Sequence, residues 1–290
     1  MHRARLGILG GTLALLATAA GAPVASAQSG WSLLNLPVGV TDVSRKIYGL
    51  HMMAFWICVG IAVVVFGVMI WSLIFHRRSR GAVADVTLIH NTKVEVIWTA
   101  VPVLILISMA VPAANLLVKI NDNSHAQLDI KVTGFQWGWQ YTYMKSGVSF
   151  VSKLAYDTDA ARQLGSGINP DTVKNYLLDV DHPLVVPTGT KVRLLITSVD
   201  VIHSWWLPDF GVKRDALPGF INEVSFTVDP GKLGVYRGQC TELCGRDHAY
   251  MPVVVRTVSP ADFAAWLKRQ QALQKQGVDL SAQTIAAPAG

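Results

Sequence analysis

The stretch GVYRGQCTELCGRDHAYMPVVV, Gly234 to Val255, passes from one short apolar run to another through a loop crowded with donor atoms. Cys240, Cys244, His248 and Met251 fall close together in it, and the flanking runs read as β-strands. Whatever the loop binds is therefore held at the end of a sheet. A disulfide between the two thiols suits an oxidising compartment but gives the histidine and methionine no role. Zinc accepts thiolate and imidazole but rarely thioether. Copper takes Cys, His and a weak axial Met on β-sandwich hosts, and two thiolates suit a pair of coppers. The donor set favours copper. The third cysteine, Cys58, lies in an apolar run and behaves as a small hydrophobe.

Upstream of this loop the chain alternates as strands do. LDIKVTGFQWGWQYTY (128–143) places Leu128, Ile130 and Val132 on one face and then becomes aromatic. HPLVVPTGTKVRLLITSVD (182–200) and NEVSFTVDPGKLGVYRGQC (222–240) each read as strand, turn and strand, and MPVVVRTVS (251–259) adds a last strand. Many short strands separated by turn residues imply an antiparallel sandwich or barrel. Residues 152–179 break the rhythm and read as a loop or short-helix insertion. PADFAAWLKRQQALQKQG (260–277) has helical spacing, with Ser259 as N-cap and Pro260 at the first helical position. The Ala/Pro-rich residues at the end read as a tail.

Ahead of the strands lie two long uncharged runs, Met52 to Phe75 and Val96 to Val118, each long enough to cross about 30 Å of hydrocarbon. Arg77, Arg78 and Arg80 in the loop between them place that loop in the cytoplasm. The first residues carry Arg3 and Arg5, a Leu/Ala-rich run and Ala25-Ser26-Ala27, which is the pattern of a secretory signal peptide. The two topology signals agree. They predict a signal peptide over 1–27, an exported segment over 28–50, membrane helices over 51–76 and 95–118, and a cytoplasmic loop over 77–94. A β-sandwich over 125–258 and a helix with tail over 259–290 then lie outside a bacterial inner membrane.

The net charge of +6 does not describe the exported part. Residues 125–256 hold 13 basic and 13 acidic side chains, and no basic stripe with interleaved aromatics is present. Nucleic acid is therefore not an expected partner.

SVDVIHSWWLPDFGVKRDALPG (198–219) together with the loop at 234–255 resembles subunit II of the haem–copper cytochrome c oxidases. The resemblance extends from the first membrane helix to Val255 and rests most on the Cys-x-Glu-x-Cys-x3-His-x2-Met pattern. It implies a cupredoxin-like sandwich on a two-helix anchor. It also implies that His203, Cys240, Cys244, His248 and Met251, with the backbone carbonyl of Glu242, hold two copper ions as a dinuclear Cu-A centre. Each copper would be held by one imidazole and both sulfurs. Delocalising one charge over two coppers and two thiolates keeps bond-length changes small, which suits a one-electron carrier.

The same resemblance gives the Glu242 carboxylate a magnesium ion at the contact with subunit I, although a lone surface glutamate is ordinarily solvated. Asp215 matches an aspartate near that contact. Trp137 in GFQWGWQYTY would receive electrons from cytochrome c, against the plain reading of a core aromatic. Here Phe135 and Gly138 depart from the usual pattern. Asp200 and Asp209 would form the acidic docking face, yet Val199 stands where many relatives carry an acid. Glu95, at the start of the second membrane helix, either complements the helix dipole or serves proton uptake. Pro102 and Pro112 read as tolerated kinks, and His51, His76, His90, His125 and His182 as surface or interface histidines.

The expected function is that of a proton-translocating oxidase subunit. It would take electrons from cytochrome c, or a membrane-anchored cytochrome, and pass them to haem a in subunit I. Haem a3, Cu-B and oxygen reduction would reside in that partner, with subunit III and a cytochrome bc1 supercomplex as further partners. A quinol-oxidase subunit would lack the copper ligands. The Cu-A domain of nitrous oxide reductase is not built on this two-helix anchor, and a copper chaperone would expose its site for handover.

Overall fold

The computed structural model describes residues 34–81, 83, 87 and 90–280. The signal peptide expected over 1–27 and the last ten residues of the tail lie outside the described residues. The described residues from Pro37 onward form one compact unit.

Helix α1 runs from Asp42 to Phe75, 34 residues, which at 1.5 Å per residue is about 51 Å. It begins well before the apolar run, so residues 42–50 of the expected exported segment are helical. The reason is a capping box: the Thr41 hydroxyl accepts from Ser44 N at 3.0 Å, and the Ser44 hydroxyl accepts from Thr41 N at 3.0 Å. Polar opening turns leave no hydropathy signal, so only the cap marks this start. Helix α2 spans Thr92–Ile120, where Asn91 caps the amides of Lys93 and Val94. It extends past the expected 95–118 at both ends and contains Pro102 and Pro112. Both helices are long and apolar enough to cross a membrane. They pack on each other, and Lys119 near the end of α2 pairs with Asp42 at the start of α1.

The sandwich is fixed to that end of the hairpin. Ser225 donates to the Asp122 carbonyl at 2.9 Å, Arg214 to Asn121 at 3.2 Å and the Thr41 hydroxyl to the Phe210 carbonyl at 2.8 Å, while Arg45 pairs with Asp229. The anchor thus holds the sandwich through its own helix ends.

Ten strands follow: β1 Leu128–Phe135, β2 Gly138–Tyr143, β3 Ser149–Ser152, β4 Leu184–Pro187, β5 Lys191–Ser198, β6 His203–Leu207, β7 Val212–Ala216, β8 Asn222–Thr227, β9 Gly234–Cys240 and β10 Pro252–Val258. One sheet has the order β3-β2-β1-β5-β8 and the other β4-β10-β9-β6-β7. The expected all-antiparallel pairing is corrected at two places, because β1 pairs with β5 and β4 with β10 in parallel. The turns at Pro187–Gly189 and Asp229–Gly231 are therefore corners between sheets rather than hairpins. Two buried tyrosines tie the layers together. Tyr143 of β2 donates to the Val185 carbonyl at 2.7 Å, and Tyr141 accepts from Trp205 of β6 at 3.2 Å.

The insertion contains helix α3, Tyr156–Ala161, and a single 3-10 turn at Pro170–Thr172. Helix α4, Pro260–Lys275, begins on the predicted Ser259 cap and buries Trp266 against Tyr143, with ring centroids 5.3 Å apart. His182 is a correction: it is 2% exposed, packed beside Phe150 and Asp181 rather than on the surface.

Candidate metal centre

The loop between β9 and β10 is closed at its base by Cys240 N donating to the Met251 carbonyl at 2.9 Å. Thr241 N donates to the Ser204 carbonyl at 3.1 Å, which fixes the same loop to β6. Because Trp205 of β6 lies in register with Cys240, His203 reaches the loop from the neighbouring strand. His203, Cys240 and Cys244 are all buried, and their ligand atoms lie within 4.8 Å of one another.

Two of the remaining expected donors lie against this cluster. His248 Nδ1 is 3.5 Å from Cys244 Sγ, and the Glu242 carbonyl is 3.4 Å from Cys240 Sγ. Met251 is 1% exposed. The two sulfurs stand 3.9 Å apart, nearly twice a disulfide bond, so the cysteines are free thiols. His203 Nε2 bonds Asp200 Oδ1 at 2.9 Å, while its Nδ1 is buried with no hydrogen-bond partner. An orphaned, solvent-excluded nitrogen beside two thiols is a costly arrangement without a ligand and a suitable one with a thiophilic metal.

The charge balance within the cluster is uneven. Burial pushes the Cys240 thiol up, but the neighbouring His203 imidazole and nearby amides outweigh it and hold the thiol below its usual range. Cys244 is pushed up to about 12 by burial and then by the adjacent Cys240. Burial opposes charge on His203 as well, yet Cys240 and Asp200 together raise it.

Trp137 and Gln136 hold the loop from the first sheet. Trp137 Nε1 and Gln136 Nε2 both donate to the Cys244 carbonyl, at 3.2 Å and 2.8 Å. Gly245 makes this approach feasible: its φ is +121°, and a Cβ there would lie 2.9 Å from Gln136 Nε2. Gly134 of β1 is similarly required, since a Cβ would lie 2.9 Å from the His203 ring.

Other expected site residues fall elsewhere. The Glu242 side chain is exposed. Asp215 accepts from the Ser204 hydroxyl at 2.7 Å and so lies on the strand pair next to it. Glu95 lies in the first turn of α2, the end away from the sandwich, and accepts from Asn91 N at 3.1 Å. Of the two expected docking acids, Asp200, at the surface, accepts from Gln136 N at 2.7 Å and Val201 N at 2.7 Å and also bonds His203. Asp209 sits beside Val40 at the anchor instead. The ordering role of Asp200 is the residue the sequence reading missed; its placement three residues before His203 was the only signal available.

Fold and site together define a protein with a membrane-capable helix hairpin and a β-sandwich carrying a buried His/Cys/Cys group able to hold metal. The sequence matches the family described as cytochrome c oxidase subunit II in both parts, its transmembrane domain over residues 29–116 and its periplasmic domain over 128–258. Cytochrome c oxidase subunit 2 of Arabidopsis thaliana is 35% identical, with 82% of this chain and 89% of that protein covered. A probable cytochrome c oxidase subunit 2 of Rickettsia bellii is 36% identical, with 82% and 84% covered. The mitochondrial subunit 2 of Vigna unguiculata is 37% identical over 82% of this chain, which spans 61% of that relative's length. The periplasmic domain of subunit II of the cytochrome oxidase of Bradyrhizobium japonicum, a solved structure, is 41% identical, covers 51% of this chain and 95% of that one, and gives a TM-score of 0.43. The chain belongs to the cytochrome c oxidase subunit II family.

Proposed function

We propose that this chain is the electron-accepting subunit of a respiratory terminal oxidase, receiving electrons from a cytochrome c and delivering them to a haem-bearing subunit I. The observation that carries this reading is the buried convergence of His203, Cys240 and Cys244 with an unpaired His203 Nδ1. His203, Cys240, Cys244, His248, Met251 and the Glu242 carbonyl would hold two copper ions, which supply a one-electron carrier when bound. The chain's own part is rigidity. The β9–β10 closure, the Ser204–Thr241 bond and the Gln136 and Trp137 bonds to Cys244 fix the donors from both sheets. Little then moves when charge changes, which lowers the reorganisation a redox event demands.

Trp137 is the electron-receiving residue in this reading, since its indole is half-buried and bonds directly to the loop backbone. The exposed Glu242 carboxylate, two residues from each cysteine, would hold magnesium against subunit I, and Asp215 on β7 accepts from the Ser204 hydroxyl. Glu95 serves proton uptake at the opposite membrane face. The sandwich is exported from a bacterial inner membrane, with residues 77–94 in the cytoplasm, and subunit III and a cytochrome bc1 complex complete the assembly. The test is the purified oxidase with Cys240→Ser. Electron acceptance from cytochrome c should be lost while haem content of the complex persists, and unimpaired acceptance would refute the reading.

A further inference from the structure

The metal loop is closed at its base by the Cys240–Met251 bond and held at Cys244 by Gln136 and Trp137. The stretch between, which bears His248 and leads into Met251, is a single 3-10 turn, His248–Tyr250. His248 N donates to the Gly245 carbonyl at 3.3 Å and Tyr250 N to the Asp247 carbonyl at 2.9 Å. Asp247 stands at the N-cap, yet its side chain makes no capping bond. One 3-10 turn has little stability of its own, so its placement depends on what packs against it.

The insertion between β3 and β4 supplies such a contact. Helix α3 is seated on buried Thr158 and Ala161. The Thr158 hydroxyl accepts from Leu177 N at 2.7 Å, and Ala155 N donates to the Asp179 carbonyl at 3.1 Å. Arg162, directly after α3, reaches from this base to the turn along the wall of a cleft of about 210 Å3 that Trp137 also lines. Its guanidinium carbon is 4.2 Å from the centroid of the half-buried Tyr250 ring, and the group pairs with Asp247 at 3.8 Å. The exposed Asp159 accepts from Arg162 Nε at 2.6 Å and so sets the direction of the fork. The Arg162 side chain is 22% exposed and that of Asp247 17%, which largely withdraws their contact from solvent. Arg246 also pairs with Asp247, at 3.3 Å, but it is 82% exposed and belongs to the loop itself.

Asp247 and Tyr250 immediately precede His248 and Met251. We propose that Arg162 is a positioning residue for the metal centre, clamping the 3-10 turn through Tyr250 and Asp247 so that His248 and Met251 keep their places. This rests on His248 and Met251 being copper ligands. A planar guanidinium suits the task, since it stacks by its face and bonds by its edge. His248 serves one copper and not the other in that reading, so a loosened turn makes the two coppers unequal.

The test uses the full-length protein in detergent as wild type, Arg162→Gln, Tyr250→Leu and Tyr250→Phe. Without metal, hydrogen exchange at the His248 and Tyr250 amides should quicken in Arg162→Gln and Tyr250→Leu, while β9 and β10 keep their protection. With copper, those two variants should release the metal to a chelator about tenfold faster than wild type. Their electron paramagnetic resonance spectra should show the unpaired electron shared unequally by the two nuclei. Tyr250→Phe keeps the ring and should match wild type in all three measurements. Exchange or spectrum unchanged in Arg162→Gln, or Tyr250→Phe as impaired as Tyr250→Leu, would overturn the proposal. A wild-type protein that shows only a single isolated copper would refute instead the ligand reading on which it rests.

Discussion

Asp200 Oδ1 lies 2.9 Å from His203 Nε2, and this bond leaves Nδ1 as the nitrogen available to the sulfur cluster. A carboxylate on the far side of a ligating imidazole sets the tautomer and the ring orientation. Asp200→Ala should therefore weaken copper binding by about 10- to 100-fold, whereas Asp200→Asn, which keeps an acceptor, should lose less. Copper titration of the full-length protein in detergent, followed by thiolate-to-copper absorption, checks the order of the three proteins.

Trp137 makes one hydrogen bond to the Cys244 carbonyl and stands between the loop and solvent. Trp137→Phe removes the indole donor while keeping an aromatic ring. The rate of electron acceptance from cytochrome c should fall at least about tenfold, with copper absorption retained, because Gln136 still holds the same carbonyl at 2.8 Å. Stopped-flow reduction measured beside the optical spectrum distinguishes this from loss of the centre.

Glu95 accepts from Asn91 N in the first turn of α2, as a helix-capping acid would. Glu95→Gln keeps an acceptor for that amide and removes the carboxylate. Turnover of the oxidase should fall several-fold with KM for cytochrome c unchanged. A kcat equal to wild type would leave capping as its whole role.

Burial pushes the Asp209 carboxyl above the usual carboxylate range. A folded-state pKa above the unfolded value favours the folded protein while the group is protonated, and that contribution is lost as pH rises through the folded pKa. Asp209→Asn should thus match wild type below the ordinary carboxylate range and melt about 1–3 °C higher at neutral pH. Thermal melts at both pH values check the sign; a lower Tm for the variant at neutral pH would reveal a stabilising partner for the carboxylate.

The sequence made some parts of this molecule legible and hid others for physical reasons. Cys240, Cys244, His248 and Met251 fall within one loop, so their spacing alone exposes them. The membrane runs and the Ser259-Pro260 helix start are local signals and match α1, α2 and α4 in kind. Strand alternation is the same for parallel and antiparallel neighbours, so the β1–β5 and β4–β10 pairings left no trace in it. The first turns of α1 are polar and hide from hydropathy. Asp200 was visible as an acid, but whether it faces solvent or His203 depends on how the β5–β6 loop folds. The setting of Trp137 depends on the return of the 152–179 insertion, a contact that no local pattern encodes.

The central claim is that these donors form one dinuclear copper centre, and the most direct measurement is the electron paramagnetic resonance spectrum of the full-length protein loaded with copper. One unpaired electron shared equally by two copper nuclei should give their combined hyperfine pattern, lost in Cys240→Ser, Cys244→Ser and His203→Ala. The pattern of a single isolated copper, or a silent spectrum in copper-loaded protein, would contradict it.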